Sequence, residues 1–318
     1  MKRLTSYISI GNYSFRGVVQ IDIEKTWELL TDICKITIPR KLSFEGQEIA
    51  SGSVPLFKKG DKIKVSIGYD GINEIEFEGY IRAIELKTPI VIHCEDSAFL
   101  LKKSPKTVSY KKVTLEQLLQ DILPSSIDYE ATTQQELGQL RIQRATAAEI
   151  LQELKEKYNI RSYFIGTKLF VGLAYPPGRE FKQHHFEFER NIISDDLEYR
   201  SREQNSIRIK AISILPDNSR LEVEVGNEDG ELRTFNYYNI SSESELQKIA
   251  ERELEKQSID GFRGSFTVFG EPSVQHGDGV KLVDNKLDRQ GIYLVKKVAI
   301  SFGVNGYRRV IYLDKTNT

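Results

Sequence analysis

The 318 residues carry 45 lysines and arginines against 46 aspartates and glutamates, a formal net charge of −1 that argues against a general nucleic-acid binder with its basic face. A hydrophobic fraction of 39% is too high for a disordered chain, no apolar run approaches the roughly 18 residues of a membrane-spanning helix, and two cysteines cannot build a disulfide framework. The length predicts two or three domains, and the basic start Met1-Lys2-Arg3 has no apolar stretch behind it, so a folded protein of the reducing cytoplasm without a signal peptide is expected.

The first hundred residues read as strands. Ser6 to Ile10 alternates, Gly11-Asn12 can turn, and Tyr13 to Ile23 continues extended. Cys34 to Ile38 alternates until Pro39. Lys62 to Ile67 and Glu74 to Ile84 are period-two strands around a turn signalled by Asp70-Gly71, and Ile90 to Cys94 closes the region. The middle of the chain changes period. Leu115 to Leu123 has apolar residues at helical spacing, with Thr114 as N-cap, Gln117 three residues on and Pro124 as the stop. A second helix is predicted from Thr146 to Tyr158, with Glu149 completing its capping box, Ile150, Leu151 and Leu154 as its buried stripe and Asn159 as its exit. Arg161 to Ile165 and Lys168 to Gly172 read as a hairpin, and Pro176-Pro177-Gly178 as a linker. The last third returns to strands: Ser206 to Ile214 and Arg220 to Val225 around Asn218-Ser219, then Gly264 to Phe269, Val280 to Val283, Ile292 to Ile300 and Arg308 to Leu313. One helix interrupts them between Ser241 and Ser258, and its stripe of Leu246, Ile249, Ala250 and Leu254 is expected to pack on a barrel formed by this last third.

The most informative pattern is an internal repeat. Gly60-Asp61 leads into the strand Lys62–Val65, then Gly79-Tyr80-Ile81 begins a second strand, and Val91 to Asp96 ends with acids. Gly277-Asp278 leads into Val280–Leu282, then Gly291-Ile292-Tyr293-Leu294-Val295, and Val310 to Leu313 ends at Asp314. Either Gly-Asp turn is unremarkable alone. The whole order at nearly equal spacing predicts two copies of one β-barrel domain separated by an α+β insert, and the copies lie too far apart in the chain for a solenoid. The expected fold class is mainly β with an α+β insert: a first barrel over 1–103, an α+β domain over 104–180, and a second barrel over 181–318 that carries the helix near 241–258.

Several short motifs fit one family. They are Lys59-Gly60-Asp61, Val65 to Tyr69, Phe77-Glu78-Gly79-Tyr80, Cys94 to Leu101, Ala148 to Tyr158 with Leu169 to Gly172, and, towards the end, Gly277-Asp278, Gly291 to Val295 and Gly306-Tyr307-Arg308-Arg309. Across almost its whole length the chain resembles the baseplate hub proteins of contractile phage tails, the late control protein D family, and the N-terminal hub part of type VI secretion spike proteins. The resemblance implies two tube-like barrels per chain and a homotrimer whose six barrels form a pseudo-sixfold ring. It implies as partners a hexameric tail tube protein, a trimeric spike protein and other baseplate proteins, but no membrane. The genome would pass through the channel without specific binding, and the location would be the virion tail baseplate, assembled in the bacterial cytoplasm. The sequence ends just after the second barrel, so a fused spike or lysozyme region is not expected.

No catalytic, cofactor-binding or metal-ligating residue is predicted. His184-His185 is the sharpest metal-like pair, but neighbours on a strand point to opposite faces. His93 beside Cys94 diverges in the same way and reads as part of a wall rather than a dyad, and Cys34 reads as a small buried apolar residue. Glu74, Glu76 and Glu78 are expected on one strand face, as an outer or lumenal ladder that would keep a channel non-adhesive. Lys102-Lys103 and Lys111-Lys112 are too short for a nucleic-acid patch. Alternative functions are a tail-associated peptidoglycan hydrolase, which would need paired acids in a cleft, and a glycan- or receptor-binding module on the insert. The insert's aromatics, Tyr110, Tyr129, Tyr158, Tyr163, Phe164 and Phe170, are spaced mostly like core.

Overall fold

The computed structural model describes residues 2–44, 47–51, 54–55, 57–176, 180–200, 206–215, 217, 219–257 and 261–316. In chain order the first part comprises β1 (Leu4–Ile10), β2 (Tyr13–Phe15), β3 (Gln20–Thr26), β4 (Ile33–Ile38), the short β5 (Leu42–Phe44), β6 (Gln47–Ser51) and β7 (Val54–Pro55), then β8 (Lys62–Tyr69), β9 (Ile72–Glu85) and β10 (Ile90–Glu95). The middle part comprises α1 (Ala98–Leu101), β11 (Lys106–Thr114), α2 (Leu115–Ile122), β12 (Tyr129–Ala131), β13 (Glu136–Ala145), α3 (Ala147–Tyr158), β14 (Arg161–Ile165) and β15 (Lys168–Gly172). The last part comprises β16 (Gln183–Glu187), β17 (Ile192–Arg200), β18 (Ile207–Ile214), β19 (Arg220–Gly226), β20 (Glu231–Tyr238), α4 (Glu243–Gln257), β21 (Gly261–Phe269), β22 (Gly279–Asp284), β23 (Arg289–Gly303) and β24 (Gly306–Thr316). The protein is mainly β, and no helix among the described residues is long and apolar enough to cross a membrane.

The strands of the first and last parts do not form two closed barrels. Thirteen of them make one sheet, whose main path runs β17-β21-β24-β23-β3-β4-β10-β9-β8-β1-β2, with β16 and β22 attached through β23. No barrel closes among the described residues. The physical reason lies in β23, which is 15 residues long. Its first half pairs with β22, and its second half turns its free edge to β3, across the boundary between the two copies. An edge that could close one barrel is used to join both into a shared core running from Ile8 to Leu313.

The duplication is visible strand for strand. In the first copy β3, β4, β10, β9 and β8 are neighbours in that order; in the second β17, β21, β24, β23 and β22 are, and every pairing within each set is antiparallel. The entry turn recurs atom for atom. The Gly60 N–H donates to the Ile81 carbonyl (2.8 Å) and the Ile81 N–H to the Asp61 carbonyl (3.0 Å); Gly277, Val295 and Asp278 repeat this at 2.8 and 2.9 Å. Each aspartate carboxylate accepts from the N–H three residues back, Asp61 from Lys58 (2.7 Å) and Asp278 from Gln275 (2.9 Å). Both glycines have a positive φ, +93° and +86°, which a side chain would strain. A bulge recurs as well. His93 lies opposite Ala83 and Cys94 opposite Ile81, leaving out Arg82; Tyr312 lies opposite Lys297 and Leu313 opposite Val295, leaving out Lys296. This register moves the sequence alignment, by two residues at Gly79 and by one at the closing acid. Gly79 corresponds to Tyr293, not Gly291, and Glu95, not Asp96, corresponds to Asp314. The cause is hairpin length: Ile63 pairs with Gly79 sixteen positions on, whereas Val280 pairs with Tyr293 only thirteen on, because the strands of the second hairpin are shorter although its turn is longer.

Two smaller bodies are inserted into this frame. Between β10 and β16, α1 to α3 and the strands β11 to β15 enclose their own core, including Leu118, Leu140, Ile150, Leu154 and Leu169. The capping boxes act as predicted. Thr114 Oγ1 accepts from the Gln117 N–H and Thr146 Oγ1 from the Glu149 N–H, and Asn159 ends α3 in the left-handed conformation. The hairpin of β14 and β15 matches its predicted limits. Pro177 and Gly178 of the expected linker lie outside the described residues. The second body sits between β17 and β21. There α4 packs on β18 and β19 of a separate three-stranded sheet, β19-β18-β20, and its Leu246 and Ala250 meet Ile207, Ile209 and Ala211 rather than the large sheet. The β18 strand draws α4 because its Ile207, Ile209 and Ala211 present an apolar face to the helix, and β20 pairs parallel along its other edge. Asn218 of the expected turn is outside the described residues; beside it, Asp217 accepts from the Ser219 N–H and hydroxyl.

Candidate functional site

The two copies meet at a seam of paired strands and at a polar junction beneath it. At the seam Ile23 lies opposite Ile300 and Ile21 opposite Phe302. All four are buried, at about 1.5–3 kcal/mol of stabilisation per side chain taken from water. On the outer face the Lys297 ammonium meets Glu24 at 2.6 Å, and the Thr26 hydroxyl donates to the Lys296 carbonyl at 2.9 Å. Apolar pairs facing inward and a charge pair facing outward stabilise the pairing of the two strands.

Beneath the seam lies an ion pair that also joins the copies. Glu76 of β9 and Arg309 of β24 are both buried, with Arg309 Nη2 at 2.6 Å from Glu76 Oε1. Tyr307 donates its hydroxyl to the same oxygen at 2.8 Å, Ser273 at 3.1 Å, and Lys25 Nζ stands 3.8 Å from the other oxygen. The rest of the guanidinium is satisfied by carbonyls, Gly270 at 2.9 Å and Val274 at 3.0 Å. Burial alone would raise the Glu76 carboxyl; the charges of Arg309 and Lys25, with hydrogen bonds from Arg309 and Tyr307, outweigh it and hold the group below its usual range. The expected acid ladder is therefore absent. A bulge between Val65 and Ser66 breaks the alternation, so that Glu76 turns inward beside buried Phe77 while Glu74 stays exposed. Arg309 had a readable signal: it shares the inward alternation of Tyr307, Ile311 and Leu313, and a cation on such a face needs a buried anion.

A second buried group adjoins it, around a cavity of about 170 Å³ lined by Lys25, Asp32, Glu76, Asp96, Gln275 and His276. Asp32 Oδ1 accepts from the Thr26 N–H at 3.0 Å; Asp96 accepts from the Asp32 N–H at 3.0 Å and, with its other oxygen, from the Ala98 N–H at 2.9 Å. The His276 ring nitrogen is 3.1 Å from the Phe164 carbonyl and 3.9 Å from Asp32, which ties the second copy to the insert and to the first copy. Burial pushes the Asp96 carboxyl up to about 7, and burial together with the Asp96 charge raises Asp32 well above its usual range. Two buried carboxyls held by backbone donors suit a structural junction. Backbone N–H groups donate to three of their four oxygens.

The other residues singled out in the sequence are dispersed. His184 Nε2 meets the Asp278 carboxylate at 3.0 Å, fastening β16 to the Gly-Asp turn, while His185 faces solvent. His93 pairs with Glu85 at 2.7 Å. Cys34 and Cys94 are opposite each other on β4 and β10, both buried, and burial raises both thiols far from the reactive thiolate form. Lys102 pairs with Glu95, Lys103 stacks over Phe99 and Lys112 pairs with Glu136, so the lysines form no common patch. Among the described residues no three acids, histidines or cysteines are grouped to hold a metal ion.

No protein-family model matches the sequence, and no curated protein does. Solved structures match over the whole chain. A 43 kDa tail protein of prophage MuSo2 from Shewanella oneidensis is 17% identical with a TM-score of 0.64, covering 99% of this chain and 100% of the other. A tail protein from Neisseria meningitidis is 16% identical with a TM-score of 0.64, covering 99% and 96%. An Escherichia coli protein described as a type VI secretion component similar in structure to phage T4 tail proteins is 10% identical with a TM-score of 0.57, covering 98% and 77%. This chain has the fold of phage tail proteins.

Proposed function

We propose that the protein is the structural hub of a contractile phage tail baseplate or a related injection device. It acts as a homotrimer whose six copies of the five-stranded unit form a pseudo-sixfold ring, and it joins a hexameric tail tube to a trimeric spike without catalysing a reaction. The observation that carries this reading is the internal duplication, the same five-strand order with the same turn and the same bulge in both copies. Two equivalent units per chain, multiplied by three chains, present six near-equivalent contacts to a sixfold partner and three strict ones to a threefold partner. The fold shared over the full chain with two tail proteins supports the same reading. In this role the buried Glu76–Arg309 pair fixes the angle between the copies, and the protein resides in the virion tail baseplate after assembly in the bacterial cytoplasm.

Sedimentation velocity over a concentration series tests the assembly. A trimer that grows in at higher concentration is the expected result, and a stable dimer would overturn the hub reading. A zymogram on cell-wall material tests the absence of chemistry. No clearing is expected, and a band abolished by Asp32→Asn would favour the hydrolase instead.

A further inference from the structure

The two inserts approach each other and the large sheet along one groove. Its larger section, of about 510 Å³, lies between the start of β14, the strand β20, β21 and the bulge of β23. It continues past the end of α3 into a smaller section of about 320 Å³, and Asn159, Arg161, Thr234 and Asn236 line both. Five cations and two carboxylates line the larger section. Four cations and one carboxylate line the smaller. The chain as a whole has a net charge of −1, so composition does not account for this excess; the fold gathers it in one place.

The cations of the groove are not matched from within. Glu231 is shared, its carboxylate lying 3.3 Å from Arg233 and 3.4 Å from Arg263, whose side chains are only 22% and 25% exposed. Burial, with the charges of Arg233 and Arg200 beside it, lowers the pKa of the Arg263 guanidinium. Arg161 stands 4.6 Å over the Trp27 ring and, among the described residues, makes no hydrogen bond or ion pair. Lys296 is the residue that the β23 bulge leaves out of register, and among the described residues its ammonium has no such partner either. Both are half-buried. A cation partly withdrawn from water without an anion beside it is an electrostatic cost that a bound carboxylate relieves.

The geometry points to binding of an acidic, extended peptide segment of another protein, with its carboxylates on the cations of this groove and its backbone beside β20. A peptide suits the site better than a small anion or a nucleic acid. A single small anion would leave most of the two sections empty. Arg233, Thr234, Phe235 and Asn236 are successive residues of β20 and all line the groove, so the groove follows the edge of that strand rather than one of its faces. Among the described residues β20 pairs only with β18, which leaves N–H and C=O groups on this edge for a peptide backbone. Guanidinium forks match the planar carboxylate group. Single-stranded nucleic acid binds best where aromatic faces are open to its bases, and Trp27 is 8% exposed, beneath Arg161 and with Tyr175 at its edge. The inference goes beyond the hub reading and does not depend on the oligomeric state of the chain.

The test is fluorescence anisotropy on the full chain with a fluorescein-labelled peptide of alternating glutamate and valine, eight residues long like β20. The same peptide with glutamine in place of glutamate, and a labelled oligothymidylate, are the comparisons. The glutamate peptide is expected to bind, and to bind less as salt is added. The glutamine peptide should bind about tenfold more weakly, the worth of a charge-assisted hydrogen bond. Lys296→Gln should weaken the glutamate peptide by about tenfold, while Lys248→Gln, at an exposed position of α4 outside the groove, leaves it unchanged. The Lys296 ammonium holds no partner within the described chain, so this variant should keep the wild-type melting temperature; Arg161→Gln gives a second reading. No binding of the glutamate peptide, equal binding of the glutamate and glutamine peptides, or full affinity in both variants would overturn the inference. Tighter binding of the oligothymidylate than of the glutamate peptide would also overturn it and assign the groove to nucleic acid.

Discussion

At the scale of single residues, the molecule depends on charges that have been taken out of water and then matched. Removing one member of a buried ion pair leaves the other uncompensated, so Arg309→Met is expected to cost about 3–5 kcal/mol in urea unfolding, and the double variant with Glu76→Leu to recover much of it. The two carboxylate sites have opposite pH signs. Glu76 has a lowered folded pKa, so its stabilisation is present above the unfolded value near 4.5 and is lost as pH falls through the folded one. Asp96 has a raised pKa, so the folded state holds its proton more tightly, and stability falls as pH rises from about 4 to about 7. Asp32→Asn keeps the acceptor for the Thr26 N–H and removes the neighbouring charge; the fall between those pH values should become shallower in unfolding curves. An unchanged slope would mean the pair is not coupled. None of these partnerships was legible in the sequence. Glu76 and Arg309 are 233 positions apart, and the bulge that turns Glu76 inward has no local marker. Arg309 alone was readable, as a cation on an apolar face.

At the scale of elements, what was legible was local. Both capping boxes, the exit of α3 at Asn159 and the hairpin of β14 and β15 follow from residues within a few positions of one another. The destination of α4 was not, because an amphipathic stripe says that a helix packs but not on which sheet. The Gly-Asp turns were found from sequence, while the bulge and the shifts in alignment appear only in the register. Because Gly60 and Gly277 adopt nearly the same positive φ and a Cβ would meet no close neighbour at either, strain alone should decide the cost of substitution. Gly60→Ala and Gly277→Ala are each expected to lose about 1–3 kcal/mol by thermal unfolding, by similar amounts. A large difference between them would argue that the two turns carry different loads and weaken the case for equivalent copies.

At the scale of the whole molecule, duplication explains the architecture better than two independent barrels would. One sheet passes from copy to copy through β3 and β23, and the inserts hang from two loops of the repeated unit, one between β10 and β16 and one between β17 and β21. Metal is not expected to hold this together, so the melting temperature should be unchanged by a chelator; a drop of many degrees would point to a bound ion. The most direct measurement of the hub assignment is electron microscopy of the purified, concentrated protein. Top views should show a closed ring of six similar lobes with strict threefold symmetry and an open centre. Rings of another symmetry, or open chains with no threefold arrangement, would contradict it.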